Sequence, residues 1–161
     1  MKAAFVTGIE KVEIKEIDKP AISDTEVLIK TKTVGVCGSD LHLFRGTHPF
    51  RHAPAILGHE IAGDVVEIGS KVTNIKVGDR VTVEPQVGCG EMCKRGLVSL
   101  CSGKKVPGTP EWIGAFSEYF NADEKTVYKL ADQTSYEMGT LAEPLAVAGL
   151  KIFFGGDEDI G

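Results

Sequence analysis

Short runs of apolar residues, many of them valine or isoleucine, alternate with glycine, aspartate and asparagine through much of the chain. Such runs, bounded by turn-forming residues, are typical of β-strands. We predict strands at 2–7, 12–17, 26–36, 61–68, 80–84, 116–121 and 126–130. Gly63 lies inside one of them, which predicts a bulge or the close approach of another backbone. Many short strands at this spacing predict a mainly β protein, a small barrel or sandwich.

Two later segments break this pattern. Residues 85–112 are rich in glycine and cysteine and lack periodicity, so we predict an irregular lobe that leaves the barrel. A helical pattern appears near the C-terminus, with Thr134 or Ser135 as its N-cap and Glu137 in its first turn. Pro144 is expected to end this helix or to open a following one, since proline is tolerated in a first turn.

Composition and charge narrow the function classes. The net charge is −5 and no block of basic residues occurs, which excludes a surface built to bind nucleic acid or anionic membranes. The longest apolar stretch, 144–150, is far shorter than the roughly 20 residues of a membrane-spanning helix. No secretory leader is recognisable at the start of the chain, so we expect a cytoplasmic protein.

Four cysteines are then expected to be reduced, because the cytosol keeps thiols from forming disulfides. Cys89, Cys93 and Cys101 cluster within a short segment, which favours metal binding over cross-linking. The fourth, Cys37, stands alone in the sequence.

Cys37, His59 and Glu60 offer sulfur, nitrogen and oxygen donors of the kinds that bind zinc. Cys37 follows one predicted strand, and His59 and Glu60 directly precede another. Neighbouring residues on a regular strand point to opposite faces, so both can reach one metal only if Gly58 lets the chain turn. A buried cysteine with a surface histidine and a surface glutamate is the alternative interpretation.

The motifs around these residues resemble the zinc-dependent medium-chain dehydrogenase/reductase family. The family's zinc alcohol dehydrogenase signature is similar to GHEIAGDVVEIG, and its zinc-ligand loop is similar to GVCGSDLH. Further blocks, in the family's order, are similar to KVGDRV, GAFSEY and LAEPLAVA. The resemblance covers residues 1–148 and is greatest to the sorbitol-like polyol and butanediol branch, in which Glu follows His in the zinc site.

The resemblance implies a GroES-like catalytic domain over 1–148, a small β-barrel with a lobe at about 85–112 and a C-terminal helix beginning near Pro144. It makes Cys37, His59 and Glu60 the ligands of a catalytic zinc. It also places Glu143 beside that metal as an alternate ligand. The implied activity is oxidation of a secondary alcohol or polyol, with the hydride passing to NAD or NADP.

Supporting roles follow from the same resemblance. Asp40 matches the carboxylate that holds the zinc-bound histidine, a partner that metal-ligating histidines normally have. Ser39 and His42 match the hydroxyl and imidazole that relay the alcohol proton to solvent. His48 and His52 match no ligand position, and we expect them to be surface residues beside a mobile loop.

A second, structural zinc of the family is bound by four cysteines in the spacing Cys-x2-Cys-x2-Cys-x7-Cys. Cys93 and Cys101 keep the last spacing, but Cys89 does not fit the pattern. Three thiolates hold zinc in a closed site only if water or a carboxylate such as Glu91 completes the tetrahedron. A second zinc held by these cysteines and a lobe with three uncoordinated thiols both remain open.

The C-terminal segment departs from the family, in which the helix near 144 leads into a Rossmann domain. Residues 149–161 contain Gly155, Gly156 and Gly161 but no G-x-G-x-x-G turn, and acidic residues 157–159 would repel a pyrophosphate. We therefore expect the cofactor-binding domain to be absent, 149–161 to be a divergent truncated tail, and the chain alone to be inactive.

Without that domain, apolar residues near the C-terminus are expected to be exposed, and the chain is expected to self-associate or to need a partner. These residues are Leu145, Val147, Leu150, Ile152, Phe153 and Phe154. A non-enzymatic zinc-binding remnant or interaction module is the alternative to an enzyme domain. A self-sufficient zinc hydrolase is disfavoured, because no motif resembles a dedicated general base or an oxyanion hole.

Overall fold

The computed structural model describes residues 1–88, 90–95, 97 and 100–154, and of residues 150–154 it describes the backbone alone. The strands are β1 (Lys2–Gly8), β2 (Lys11–Glu16), β3 (Glu26–Gly35), β4 (Ala55–Ile56), β5 (Glu60–Ile68), β6 (Arg80–Val83), β7 (Tyr119–Asp123) and β8 (Val127–Lys129). The α-helices are α1 (Gly38–Phe44), α2 (Glu91–Lys94), α3 (Tyr136–Thr140) and α4 (Ala142–Phe154).

The strands form two antiparallel sheets, a larger one in the order β7-β3-β5-β6-β8 and a smaller one in the order β2-β1-β4. Backbone hydrogen bonds of Glu118 join the sheets, since its carbonyl accepts from Thr31 of β3 at 3.0 Å and its N–H donates to the Lys2 carbonyl of β1 at 3.1 Å. The mainly β architecture, a curled half-barrel, confirms the predicted fold class. No parallel strand pair occurs among the described residues.

The main hydrophobic core is built largely from residues of the larger sheet. Val27 and Ile29 of β3 pack with residues of β5, β6 and β7, among which Phe120 is fully buried. Trp112 closes this core, stacking on Phe120 with ring centroids 5.5 Å apart and donating its indole N–H to the Asn121 carbonyl at 2.8 Å. The end of the predicted lobe therefore packs into the barrel, where the sequence predicted an excursion.

Most strand boundaries agree with prediction to within two residues, and β7 differs most. It begins at Tyr119 instead of 116, because Phe116 and Ser117 pair with β1 and with the segment around Leu57. The short strand β4 was not predicted. The predicted close approach at Gly63 is confirmed, since a Cβ atom there would lie 2.3 Å from the Lys30 carbonyl oxygen.

The C-terminal helices begin where their caps predict. Ser135 is the N-cap of α3 and its hydroxyl accepts a hydrogen bond from the Met138 backbone N–H at 3.2 Å. Pro144 lies in the first turn of α4, so it opens that helix. Within the described part of the chain, no helix has the length and apolarity needed to cross a bilayer. Residues 155–161, with the predicted tail glycines, lie outside it.

Candidate active site

Cys37, His59 and Glu60 come together where β3 ends beside the start of β5, two inner strands of the larger sheet. Cys37 is in extended conformation between β3 and α1, and Glu60 begins β5, which pairs with β3 so that Gly35 and Glu60 are register partners. One donor atom from each of the three side chains lies within 4.8 Å of the other two. Strand pairing thus brings together potential metal-binding side chains that are more than twenty residues apart in sequence.

Two glycines make this arrangement possible. Gly58 has φ +91°, so the chain turns just before β5, as predicted. His59 precedes the strand and therefore need not point to the face opposite Glu60. Gly35 lies under the Glu60 carboxylate, and a Cβ atom there would be 2.1 Å from Glu60 Oε2. Gly38, by contrast, starts α1 in open space, with nothing within 4 Å of a hypothetical Cβ atom.

Asp40 ties the two ligand-bearing segments together. Its buried carboxylate accepts hydrogen bonds from the backbone N–H of Cys37 at 3.1 Å and of Gly58 at 3.3 Å. The same carboxylate lies 3.7 Å from Nδ1 of His59. Its position beside the imidazole matches the role that the resemblance implied.

Glu143 lies in the first turn of α4, close enough to this cluster to interact with it electrostatically. Burial raises the pKa of its carboxyl; His59 opposes the shift, and the negative charges of Glu60 and Asp40 add to it. Glu143 is not part of the three-residue donor cluster. The structure therefore brings it near the site without making it a fourth ligand.

A cleft of about 730 Å³ opens beside the cluster, and His59 and Glu143 contribute to its wall. This volume is in the range of small-molecule sites. Its polar lining further includes Ser39, Arg51, Thr82, Glu84, Gln86 and Tyr128. Sequence reasoning found Ser39 but missed the others, because they lie on strands and loops that are remote from Ser39 in sequence and no motif marks them.

The remaining histidines are dispersed. His42 is exposed in the last turn of α1, with Nδ1 3.1 Å from the Thr47 hydroxyl. His52 is exposed, as predicted. His48 differs from prediction: it is half-buried, and its Nδ1 accepts hydrogen bonds from the backbone N–H groups of Phe50 and Arg51. His48 therefore organises the loop after α1.

The lobe cysteines have different surroundings. Cys93 is half-buried in α2, Cys101 is buried, and the Cys101 sulfur lies 3.4 Å from where a Cβ of Gly90 would be. Neither belongs to a group of three potential metal ligands among the described residues. Glu91, the carboxylate considered as an additional ligand, pairs with Lys94 at 3.1 Å. Cys89 lies outside the described residues.

Comparison with known proteins decides the family. Residues 23–132 match the family described as the alcohol dehydrogenase GroES-like domain. The chain belongs to this family. It is thereby placed among the zinc-dependent medium-chain dehydrogenases, as its motifs had indicated.

Individual relatives support the same placement. The sorbitol dehydrogenase of Bacillus subtilis (strain 168) is 42% identical over 152 residues, which cover 91% of this chain and 43% of the relative. The crystal structure of 2R,3R-butanediol dehydrogenase from Bacillus subtilis matches with a TM-score of 0.82 and 40% identity, covering 94% of this chain and 46% of that one.

A short-chain alcohol dehydrogenase of Escherichia coli CFT073, solved in complex with the cofactor NADH, has a TM-score of 0.83 and 33% identity. The match covers 92% of this chain and 44% of that chain. This GroES-like chain therefore spans less than half the length of the relatives reported above.

The donor set fits zinc better than a hard cation. Thiolate, imidazole and carboxylate together are typical of Zn²⁺, whereas Mg²⁺ and Ca²⁺ prefer oxygen ligands throughout. Tetrahedral bonds of about 2.0–2.3 Å separate ligand atoms by about 3.3–3.8 Å, so small side-chain adjustments suffice to bring this cluster around one ion. Three protein ligands also leave a position open, as in catalytic rather than structural zinc sites.

Proposed function

We propose that this chain is the zinc-binding catalytic domain of an enzyme that oxidises a secondary alcohol or polyol, with hydride transfer to NAD or NADP. The observation that carries this proposal is the convergence of Cys37, His59 and Glu60 beside a cleft. These three residues would hold the zinc. When bound, the metal supplies Lewis acidity that favours loss of a proton from the substrate hydroxyl.

Asp40 is proposed to orient the His59 imidazole. Two backbone N–H groups hold its carboxylate in place, and that carboxylate favours a proton on Nδ1, which leaves the Nε2 lone pair for the metal. We propose that Ser39, in the cleft wall, accepts the proton of the substrate hydroxyl and that His42 passes it to solvent. The exposed position of His42 supports this direction of transfer.

Glu143 is proposed as an alternate ligand. Its place in the cleft wall and its electrostatic interaction with His59 and Glu60 support an approach to the metal when a cleft-bound molecule leaves. Its raised pKa lets the group be neutral over a wider pH range than an exposed glutamate, which lowers the cost of keeping three carboxyl groups close together.

The nicotinamide cofactor is proposed to bind outside the described residues. A dinucleotide fold needs parallel strands with a glycine-rich turn, and every described strand pair is antiparallel. We therefore propose that these 161 residues alone oxidise no alcohol with NAD. The non-enzymatic zinc-binding module remains the second candidate, supported by the same absence of a described dinucleotide site. A reducing cytosol, which keeps the thiolate available, is the proposed location.

Metal analysis of the purified chain, combined with an NADH titration, tests these proposals together. The expected result is one tightly bound zinc for each chain, removed by a chelator, and no saturable binding of NADH. A chain that retains no zinc after dialysis from a zinc-containing buffer would contradict the metal site. Polyol-dependent formation of NADH that stops on chelation would contradict inactivity while supporting the zinc site.

We propose that the isolated chain either self-associates or binds a partner that supplies a cofactor domain. Exposed apolar side chains on α3, on α4 and at the junction between them support it, namely Met138, Leu141, Leu145 and Val147. Of the apolar residues named in the sequence prediction, Leu145 and Val147 are exposed, and the side chains of the others lie outside the described part. Exposed apolar side chains that cluster on a surface mark interfaces, and these four lie within ten residues of one another in sequence.

Sedimentation velocity over a range of concentrations is the measurement for self-association. We expect oligomers of the natural chain that dissociate in the Leu145→Glu variant, and no such dissociation in Ile14→Glu, an exposed position on β2. A monomer at every concentration would contradict the proposal.

A further inference from the structure

Arg51 lies half-buried in the cleft wall, on the loop between α1 and β4. Its Nη1 donates a hydrogen bond to the Pro107 carbonyl at 3.1 Å. The same nitrogen lies 3.4 Å from where a Cβ of Gly108 would be, a residue with φ +87°. The guanidinium is therefore held against the segment 107–108, at a fixed place in the wall.

The charge of this guanidinium is not neutralised by the described part of the protein. The ion pairs found there involve Lys15, Lys32, His59, Lys71, Lys94 and Lys129, and no carboxylate oxygen lies within 4.0 Å of Arg51. Glu84, an acid of the same cleft, instead accepts hydrogen bonds from the Tyr128 hydroxyl at 3.2 Å and from the Gln86 amide at 2.9 Å.

Arg80 shows what an arginine with a structural role looks like in this chain. Two of its nitrogens donate to the carbonyls of Asp132 and Thr134, and its guanidinium lies over the Tyr136 ring at 4.5 Å. Arg51 makes one such bond. A neutral donor would suffice for that tether, so the positive charge of Arg51 is not used by it and can pair with a bound anion.

Arg51 is also the one lysine or arginine among the described residues that line the cleft, and the chain as a whole is acidic. Guanidinium groups bind phosphate and carboxylate through paired, charge-assisted hydrogen bonds. The cleft therefore brings His59, one of the three proposed metal ligands, and Ser39 together with a separate cation that favours an oxyanion.

We propose that Arg51 determines substrate class: it binds the phosphate or carboxylate of an anionic polyol whose reacting hydroxyl lies at the Cys37, His59 and Glu60 cluster. This inference rests on the proposed function, because it takes that cluster as the place of reaction. Glu84 and Tyr128 are available along the same wall to bind the intervening hydroxyl groups. The substrate is thus a sugar phosphate or sugar acid rather than a neutral polyol.

The test uses the zinc-loaded chain, titrated with sorbitol, sorbitol 6-phosphate, gluconate and inorganic phosphate, while NMR follows the Arg51 Nε–H signal. We expect the two anionic polyols to shift this signal and to bind at least about tenfold more tightly than sorbitol. Tighter binding of sorbitol 6-phosphate identifies the phosphate as the preferred group, and tighter binding of gluconate identifies the carboxylate.

Variants separate recognition from loop structure. Arg51→Gln should lower affinity for the anionic polyols about tenfold or more and leave that for sorbitol within about twofold, while Arg51→Lys restores most of the loss. Arg45→Gln removes the same charge from an exposed position at the end of α1 and should change neither. Amide spectra of each variant report whether it is folded, and the ligand series on the natural chain needs no variant.

Several outcomes overturn the proposal. These are equal affinity for sorbitol and the anionic polyols, equal losses for all ligands in Arg51→Gln, no binding of any polyol, and inorganic phosphate binding as tightly as sorbitol 6-phosphate. Zinc content is measured on the same samples. Zinc retention without an anion preference rejects the role of Arg51 alone, and Arg51-dependent binding without zinc rejects the metal site alone.

Discussion

Cys37 and Cys93 are both half-buried, yet their surroundings differ in every respect that matters for metal binding. Cys37 lies where β3 ends beside the start of β5, and the buried Asp40 holds its backbone. Cys93 lies in α2, a helix of four residues with no buried side chain. A ligand is preorganised when paired strands and buried hydrogen bonds fix its position, and cysteine spacing alone does not supply that.

The largest expected effect comes from exchanging the two thiols for hydroxyls. Cys37→Ser should lower zinc affinity by about a hundredfold or more, because serine is a far weaker zinc ligand than thiolate. Cys93→Ser should leave the affinity of this site within about twofold. Competition with a chromophoric chelator measures both values.

A second zinc bound in the lobe would reduce the difference between Cys37 and Cys93. If Cys93→Ser lowers the zinc content of the purified chain from two ions to one, the lobe holds a metal and the difference between the two regions is smaller than proposed. If Cys37→Ser retains the full affinity, the metal site is wrongly placed.

Gly35 and Gly38 allow a second comparison, between a crowded and an open position near Cys37. Gly35→Ala would place a methyl group 2.1 Å from Glu60 Oε2 and 3.0 Å from Glu60 Cβ, so the carboxylate must move. We expect about tenfold weaker zinc binding and a loss of about 1–3 kcal/mol in the free energy of unfolding, as for other overpacked sites. Chemical denaturation and chelator competition measure the two effects.

Gly38→Ala is the matched control, three residues along the chain and in open space. Alanine in the first turn of α1 should leave zinc affinity unchanged and alter stability by less than about 1 kcal/mol, in the stabilising direction. Equal losses in Gly35→Ala and Gly38→Ala would show that the contact with Glu60 is not what requires a glycine.

The strands could be predicted, and the convergence of Cys37, His59 and Glu60 could be anticipated, because both leave local signals. Short apolar runs bounded by turn-forming residues marked β3 and β5, and Gly58 with His59 and Glu60 formed a recognisable motif. The start of β7 could not be predicted, because the pairing of Phe116 with β1 depends on the other sheet. Arg51 was missed for the same reason, since its place in the cleft depends on the Pro107 carbonyl, which is remote in sequence.

The smallest expected effect is on the stability of the chain when an acid is neutralised, Glu143 in the site or Glu91 in the lobe. Burial raises the pKa of Glu143 above its ordinary value of 4.5. The folded chain therefore binds this proton more tightly than the unfolded chain does, and the stabilising contribution is complete below pH 4.5 and lost as the pH rises through the folded pKa.

Glu143→Gln should accordingly stabilise the zinc-free chain at neutral pH by less than about 1 kcal/mol. The gain is modest because solvent reaches the Glu143 side chain. It should vanish below the ordinary pKa of glutamate. Glu91→Gln, in the lobe, removes an exposed ion pair with Lys94 and should change stability by less than about 0.5 kcal/mol. Urea denaturation across this pH range measures both variants. A loss of stability in Glu143→Gln at neutral pH would mean that a favourable contact holds the Glu143 carboxylate. Glu143 would then be a paired acid, as Glu91 is with Lys94 in the lobe.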